Sequence, residues 1–197
     1  MSFYPSTYVK KEAPNDYMKL SEGSHRVRIL TSPIIGFQSW KINPETNKDE
    51  PQRVKTFQEA VKLPSKDGKI QEFNAFIVWD YETKMIRLLN ITQPSIKDWI
   101  YNQTLDEDWN DPTTYDIVIT RTGKTMTDTR YACSTKLPKK LDDEALEAFK
   151  AVKIVPENYF TGGHPIVREE AEMGEVKSAL VDENEYTSEE TADSAPF

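Results

Sequence analysis

Apolar and polar positions in the first half of the chain alternate with a period of two rather than recurring at helical spacing. From Ser24, the side chains of His25, Val27, Ile29 and Thr31 fall on one face of an extended segment and those of Ser24, Arg26, Arg28 and Leu30 on the other, which predicts a half-buried strand. After Pro33 a second extended run, Ile34 to Trp40, leads into a polar loop from Asn43 to Pro51. A hairpin is predicted from Gln71–Asp80 and Lys84–Ile91 around Tyr81-Glu82-Thr83, with Phe73, Ala75, Ile77 and Trp79 as its apolar face and Asn74 and Phe76 on the other. The period then changes. Thr92 is placed to cap a helix with Gln93 and Pro94 in its first turn, and Ile96, Trp99 and Ile100 give the i, i+3, i+4 stripe of a segment ending near Leu105. An acidic loop follows, then strands Tyr115–Thr122 and Thr129–Thr135 about Gly123-Lys124, and a helix Asp142–Val152. Residues 53–63 fit two readings. As a strand they place Arg53, Lys55 and Phe57 on one face; as a helix after Pro51 they gather Val54, Phe57 and Val61, and the β-favouring Val54, Thr56 and Phe57 tip the reading to the strand.

Strand, strand, hairpin, helix, strand, strand is the plan of a mainly β OB-fold, a five-stranded Greek-key barrel with a helix between its third and fourth strands. A β-sandwich more often lacks that helix, and a ferredoxin-like fold needs another one earlier. The expected organisation is an N-terminal arm at 1–23 carrying Phe3, Tyr4, Tyr8 and Tyr17, the domain at 24–160, a linker at 161–168, and a tail at 169–197 too poor in apolar residues to fold alone.

Charge sharpens this division. The 197 residues carry 25 Lys plus Arg and 33 Asp plus Glu, a net of -8. Residues 1–168 hold 24 basic and 23 acidic side chains, a net of +1, whereas 169–197 hold 1 and 10, a net of -9. The body is thus free to meet a polyanion although the whole chain is acidic. No apolar run is long enough for a membrane span and no leader pattern opens the chain, so a cytoplasmic setting, in a host cell, is expected. The single Cys133 excludes an internal disulfide and a multi-cysteine zinc site, and no cofactor or metal is expected. His25 and His164, read as surface histidines, have no nucleophile-and-carboxylate setting, and Gly123-Lys124-Thr125 lacks the preceding glycine and following helix of a phosphate loop. The expectation is a binding protein, not an enzyme.

Cations beside outward aromatics are the chemistry of single-strand binding: the cations track phosphates and flat rings stack on unpaired bases. Arg26 and Arg28 share a strand face; Trp40 is followed by Lys41; Phe57 lies beside Arg53 and Lys55; Phe76 is the outward ring of the hairpin. Arg121, Lys124, Arg130 and Lys136, with Lys139 and Lys140, add positive charge late in the domain. For each ring the competing reading is core packing, to which Trp79, Trp99 and Trp109 are assigned, and for each cation a solvated face.

The chain closes on Asp193-Ser194-Ala195-Pro196-Phe197, a ring and a carboxylate after an acidic stretch, which suits capture in a pocket with a basic rim. This tail resembles the acidic C-terminal peptide of single-stranded-DNA-binding proteins, which ends in Pro-Phe. The body resembles the bacteriophage members of that group through Val27-Arg28-Ile29-Leu30-Thr31-Ser32-Pro33-Ile34 with Trp40, Phe76-Ile77-Val78-Trp79-Asp80-Tyr81-Glu82-Thr83-Lys84, Ile91-Thr92-Gln93, Asp108-Trp109-Asn110-Asp111-Pro112-Thr113 and Tyr115-Asp116-Ile117. The resemblance implies largely sequence-independent coating of single strands in phage replication, recombination or repair, self-association on DNA, and recruitment of phage or host replication and recombination proteins through Asp193, Pro196 and Phe197. It departs at the zinc subdomain of some relatives, for which this sequence lacks the cysteines. The rival expectation is an acidic, DNA-mimicking interaction protein directed at a host DNA-processing factor, which predicts a carboxylate-rich body.

Overall fold

The computed structural model describes residues 16–125 and 127–168. The tail and the first 15 residues of the arm, and with them Asp193, Pro196 and Phe197, lie outside the described residues. The fold is mainly β: a seven-stranded antiparallel sheet, a two-stranded one and a few short helices.

Strands β1 (Gly23–Ile29) and β2 (Ile34–Ile42) run one after the other along the same edge of β4 (Gln71–Asp80). Val27 to Ile29 pair with Asp80 to Val78, and Ile34 to Gln38 with Ala75 to Gln71, so the two act as one long strand broken at Ser32-Pro33. Pro33 has no N–H for the ladder, which explains the break at that point. β5 (Met85–Ile91) occupies the other edge of β4. On the far side of the long strand, β6 (Asp116–Thr122) pairs with β1 and β3 (Asp49–Val54) with β2, and β7 (Arg130–Thr135) pairs with β6. Helix α2 (Pro94–Thr104) joins β5 to β6 and packs against β7; no ladder joins β5 to β7 among the described residues.

β4 is buried on both faces. Phe76 and Val78 point into one core with Val27, Ile29, Ile117 and Ile96 of α2. Phe73, Ala75, Ile77 and Trp79 point into a second, shared with Ile86 and Leu88 of β5. That second face is covered by the C-terminal segment: α3 (Asp143–Lys150), β8 (Val152–Ile154), a 3₁₀ turn (Pro156–Tyr159) and β9 (Ile166–Arg168), through Ala145, Tyr159 and Ile166. Each core spares its side chains roughly 1.5–3 kcal/mol per large residue relative to exposure. The N-terminal segment ties onto β5. Met18 N–H donates to Leu88 O at 2.9 Å, Leu88 N–H donates to Asp16 O at 2.6 Å, and the Met18 side chain enters the first core. Arg168 meets the same place, donating to Asp16 Oδ1 at 2.6 Å and to Ile86 O at 3.1 Å.

Several expectations need correction. The main sheet has seven strands, not five, because β1–β2 is split and β3 is added. The polar loop from Asn43 is a short turn, with β3 beginning at Asp49. Residues 53–63 are divided between the two readings: β3 runs to Val54, and α1 (Phe57–Ala60) starts behind a capping box in which Thr56 and Glu59 each accept from the other's backbone. The cap of α2 is Gln93 rather than Thr92, with no side-chain hydrogen bond. The segment read as a linker, 161–168, contains β9 and the core residue Ile166. His25 is buried at 6% exposure, its Nε2 3.0 Å from Ser21 O, and His164 is half-buried.

Candidate nucleic-acid interface

Cross-strand partners share a face of a sheet, so the pairing places Arg26, Arg28, Trp40 and Arg53 on the same face as Trp79 and Ile34. The centre of that face is covered by the C-terminal segment. The cations lie on its two flanks.

On the first flank, the rows Ser24–Thr120–Ala132 and Arg26–Val118–Ser134 run across β1, β6 and β7, bordered by Arg130 and Lys136. Arg28 departs from expectation: at 1% exposure it does not stand out of the sheet but pairs with the equally buried Asp116, its Nε donating to Oδ1 at 2.7 Å. Its Nη1 donates to Thr113 O at 3.3 Å and Lys139 O at 3.1 Å. Arg26 also reaches Asp116, with Nε donating to Oδ2 at 2.8 Å and Nη2 paired with the same carboxylate, while its guanidinium lies 4.3 Å from the centre of the Tyr81 ring. Tyr81 O–H completes the set, donating to Oδ1 at 2.9 Å. Burial works against the charge on Asp116, but the hydrogen bonds from Arg26 and Tyr81 and the Arg28 charge outweigh it, holding the carboxyl below its ordinary range. Lys139 sits 5.3 Å from the Tyr81 ring centre and pairs with Asp142 at 3.1 Å. Arg26, Arg28 and Lys139 meet Asp116 and Asp142 here, and Lys136 and Lys140 are exposed in the adjoining chain.

The second flank is built on β2 and β3. Trp40, half-buried, borders a hollow of about 300 Å³ with Lys66 and Lys69, themselves paired with Asp49 and Asp67. Arg53 stacks 4.0 Å from the centre of the Tyr159 ring, and Lys55 lies 5.4 Å from that of Phe160 while pairing with Glu157 at 2.7 Å. Lys41 pairs with Glu50 at 3.8 Å. Arg53, Lys41, Tyr159 and Phe160 line one cleft of about 380 Å³. Phe57, at 52% exposure, opens α1 and meets Phe37 edge to face at 5.6 Å.

At the β6–β7 end, Lys124 and Arg130 are exposed, and Arg130 donates to Thr127 O at 3.1 Å and Thr129 O at 2.9 Å. Arg121 is half-buried and donates to Leu20 O at 3.0 Å. Phe76 is corrected outright. It is 3% exposed in the first core, because the face opposite Trp79 is roofed by α2 and β6 rather than open to water. It reaches only the floor of a separate cleft of about 380 Å³ beside Ile35, Lys97 and Tyr101, whose rim includes Asp111.

Tyr81, Tyr159 and Phe160 were not anticipated from the sequence. Their role depends on long-range pairing, and the one local signal was an aromatic pair, Tyr159-Phe160, in a segment taken for the domain's end. Burial pushes the Cys133 thiol up to about 11, and its side chain packs against the first core. Among the described residues no group of three or more His, Cys, Asp or Glu is placed to hold a metal ion, and no helix is long and apolar enough to cross a membrane. Comparison with known proteins leaves these features to speak for themselves: no family model, no curated protein and no solved structure matches the chain.

Proposed function

We propose that this protein binds single-stranded DNA, largely without regard to sequence, through an OB-type barrel, and that its acidic segment recruits the proteins of phage DNA replication, recombination or repair. The observation that carries the reading is the pairing order. A long bent strand lies between a hairpin and a second strand pair, with a helix linking the two, and this order supports an OB-type arrangement with β1–β2 as its first strand. The placement of Arg26, Trp40 and Arg53 on one sheet face, with exposed Lys55, Lys124, Arg130 and Lys136 near its margins, supports it, since a strand of phosphates needs a track and not a point.

Arg26, Lys124, Arg130 and Lys136 serve the phosphates on one flank and Lys41, Arg53 and Lys55 on the other. Trp40 and Phe57 are the stacking rings, and Arg121 orders the β6–β7 end. Arg28 and Phe76 act indirectly, the first by fixing Asp116 and Arg26, the second by packing. No catalytic role is assigned. A fluorescence titration of the full chain with oligothymidylate, following tryptophan quenching, tests the proposal. Saturable quenching that weakens steeply with salt, and clear preference over duplex, is expected; equal binding to duplex would refute the stacking role.

A further inference from the structure

We propose that the cleft between β3 and the 3₁₀ turn seats one unpaired nucleotide of a bound strand, its base against Phe160 and its phosphate on Arg53 and Lys41. The inference rests on the single-strand reading above and assigns to the C-terminal segment, which otherwise only covers the sheet, a direct part in binding.

The size fits: about 380 Å³ is room for one nucleotide and little more. The walls fit as well. Pro51, Val54, Leu63 and Phe160 offer an apolar surface for a base, and the cations stand at the same cleft. The Gln52 amide nitrogen is used on Pro64 O at 2.6 Å, which leaves its side-chain oxygen as an acceptor at the lining. Arg53 is held by stacking on Tyr159 rather than by a carboxylate, whereas Lys41 is paired with Glu50, which lines the same cleft, so Arg53 is the main phosphate contact and Lys41 joins it as that pair opens. Arg53 Nε is buried without a hydrogen-bond partner, while the Tyr159 hydroxyl has the Arg53 guanidinium beside it. An acceptor oxygen of a phosphate is the kind of atom that answers such a donor. The site is also fixed in place. Gly36 lies beneath it, where an added Cβ would come within 2.8 Å of the Phe160 ring and 2.6 Å of Val54 O, and Phe73 meets Tyr159 edge to face at 5.4 Å.

The test uses the full chain with an iodouracil-substituted oligothymidylate, photocrosslinked and mapped by mass spectrometry, alongside titrations of Arg53→Gln and Phe160→Leu with thermal melts. Crosslinks on the peptide holding Tyr159 and Phe160 are expected. Each variant should bind about 5- to 10-fold more weakly while still melting in one cooperative transition, and Arg53→Gln should lower the salt slope by about 0.7. Wild-type binding with crosslinks confined to other surfaces, or normal affinity in both variants, overturns the nucleotide site and leaves the single-strand reading standing. Absence of oligothymidylate binding by the wild-type chain overturns that reading itself. The crosslink map is read on wild-type protein, so it stands even where a variant folds poorly.

Discussion

Asp116 is a buried carboxylate shared by two guanidinium groups and a phenol, and an ion removed from water in this way is tolerated only because several donors converge on it. Removing one partner strands the others. Arg28→Ala should therefore cost about 3–5 kcal/mol, read as a lowered urea midpoint at pH 7. The depressed carboxyl also sets a pH dependence. Because Asp116 gives up its proton more readily folded than unfolded, its contribution is present above the ordinary carboxylate pKa of about 4 and is lost as pH falls through the lower folded value. Unfolding curves from neutral pH down through that range should show this loss, and Asp116→Asn should flatten that part of the profile. The two phenylalanines proposed from sequence as stacking rings separate cleanly. Phe76→Ala should destabilise by about 3–5 kcal/mol, whereas Phe57→Ala should leave the melting temperature nearly unchanged and weaken single-strand binding several-fold. Arg28 and Phe76 were misread for one reason: alternation along a strand tells which residues share a face, but not whether the opposite face meets water or a second core.

Among the elements, those whose boundaries are marked by local chemistry were legible in advance. The hairpin β4–β5, helix α2, strands β6 and β7, and helix α3 all lie within a few residues of the segments that periodicity and turn residues predict. The β3 strand and the β8–β9 pair were not, since β3 begins in a polar stretch and β8 and β9 have three residues each, too short to show a period. Their existence depends on what they lie against. Gly36 records that dependence from the other side, for its missing side chain is what lets Phe160 and Val54 approach β2. Gly36→Ala should cost about 1–3 kcal/mol by overpacking and should loosen the C-terminal cover first, which hydrogen exchange at β8 and β9 would register ahead of the central sheet.

For the whole molecule, charge is the organising quantity. A body of net +1 is joined to a segment of net -9, and if the body binds phosphates as proposed, that tethered polyanion competes at high effective concentration. Truncation after Arg168 should tighten single-strand binding at low salt and leave thermal stability close to that of the full chain, because Ile166 and Arg168 are retained. Unchanged or weaker affinity would count against competition. The division of charge could be counted from the sequence. The arrangement of cations on two flanks of a covered face could not, because it follows from a segment folding back over β4 and β5 from distant positions in the chain.

Arg168 donates to the Asp16 carboxylate and to Ile86 O, and Asp16 O accepts from Leu88 N–H, so the N- and C-terminal segments of the folded body meet at β5. A short glycine-rich splice from Arg168 to Asp16, with the chain reopened at the exposed Lys124 turn, should yield a permuted protein with the same sheet order and both cores intact. In that protein the fold would begin and end at the rim of the cationic flank, so a probe fused there would report directly on an arriving strand.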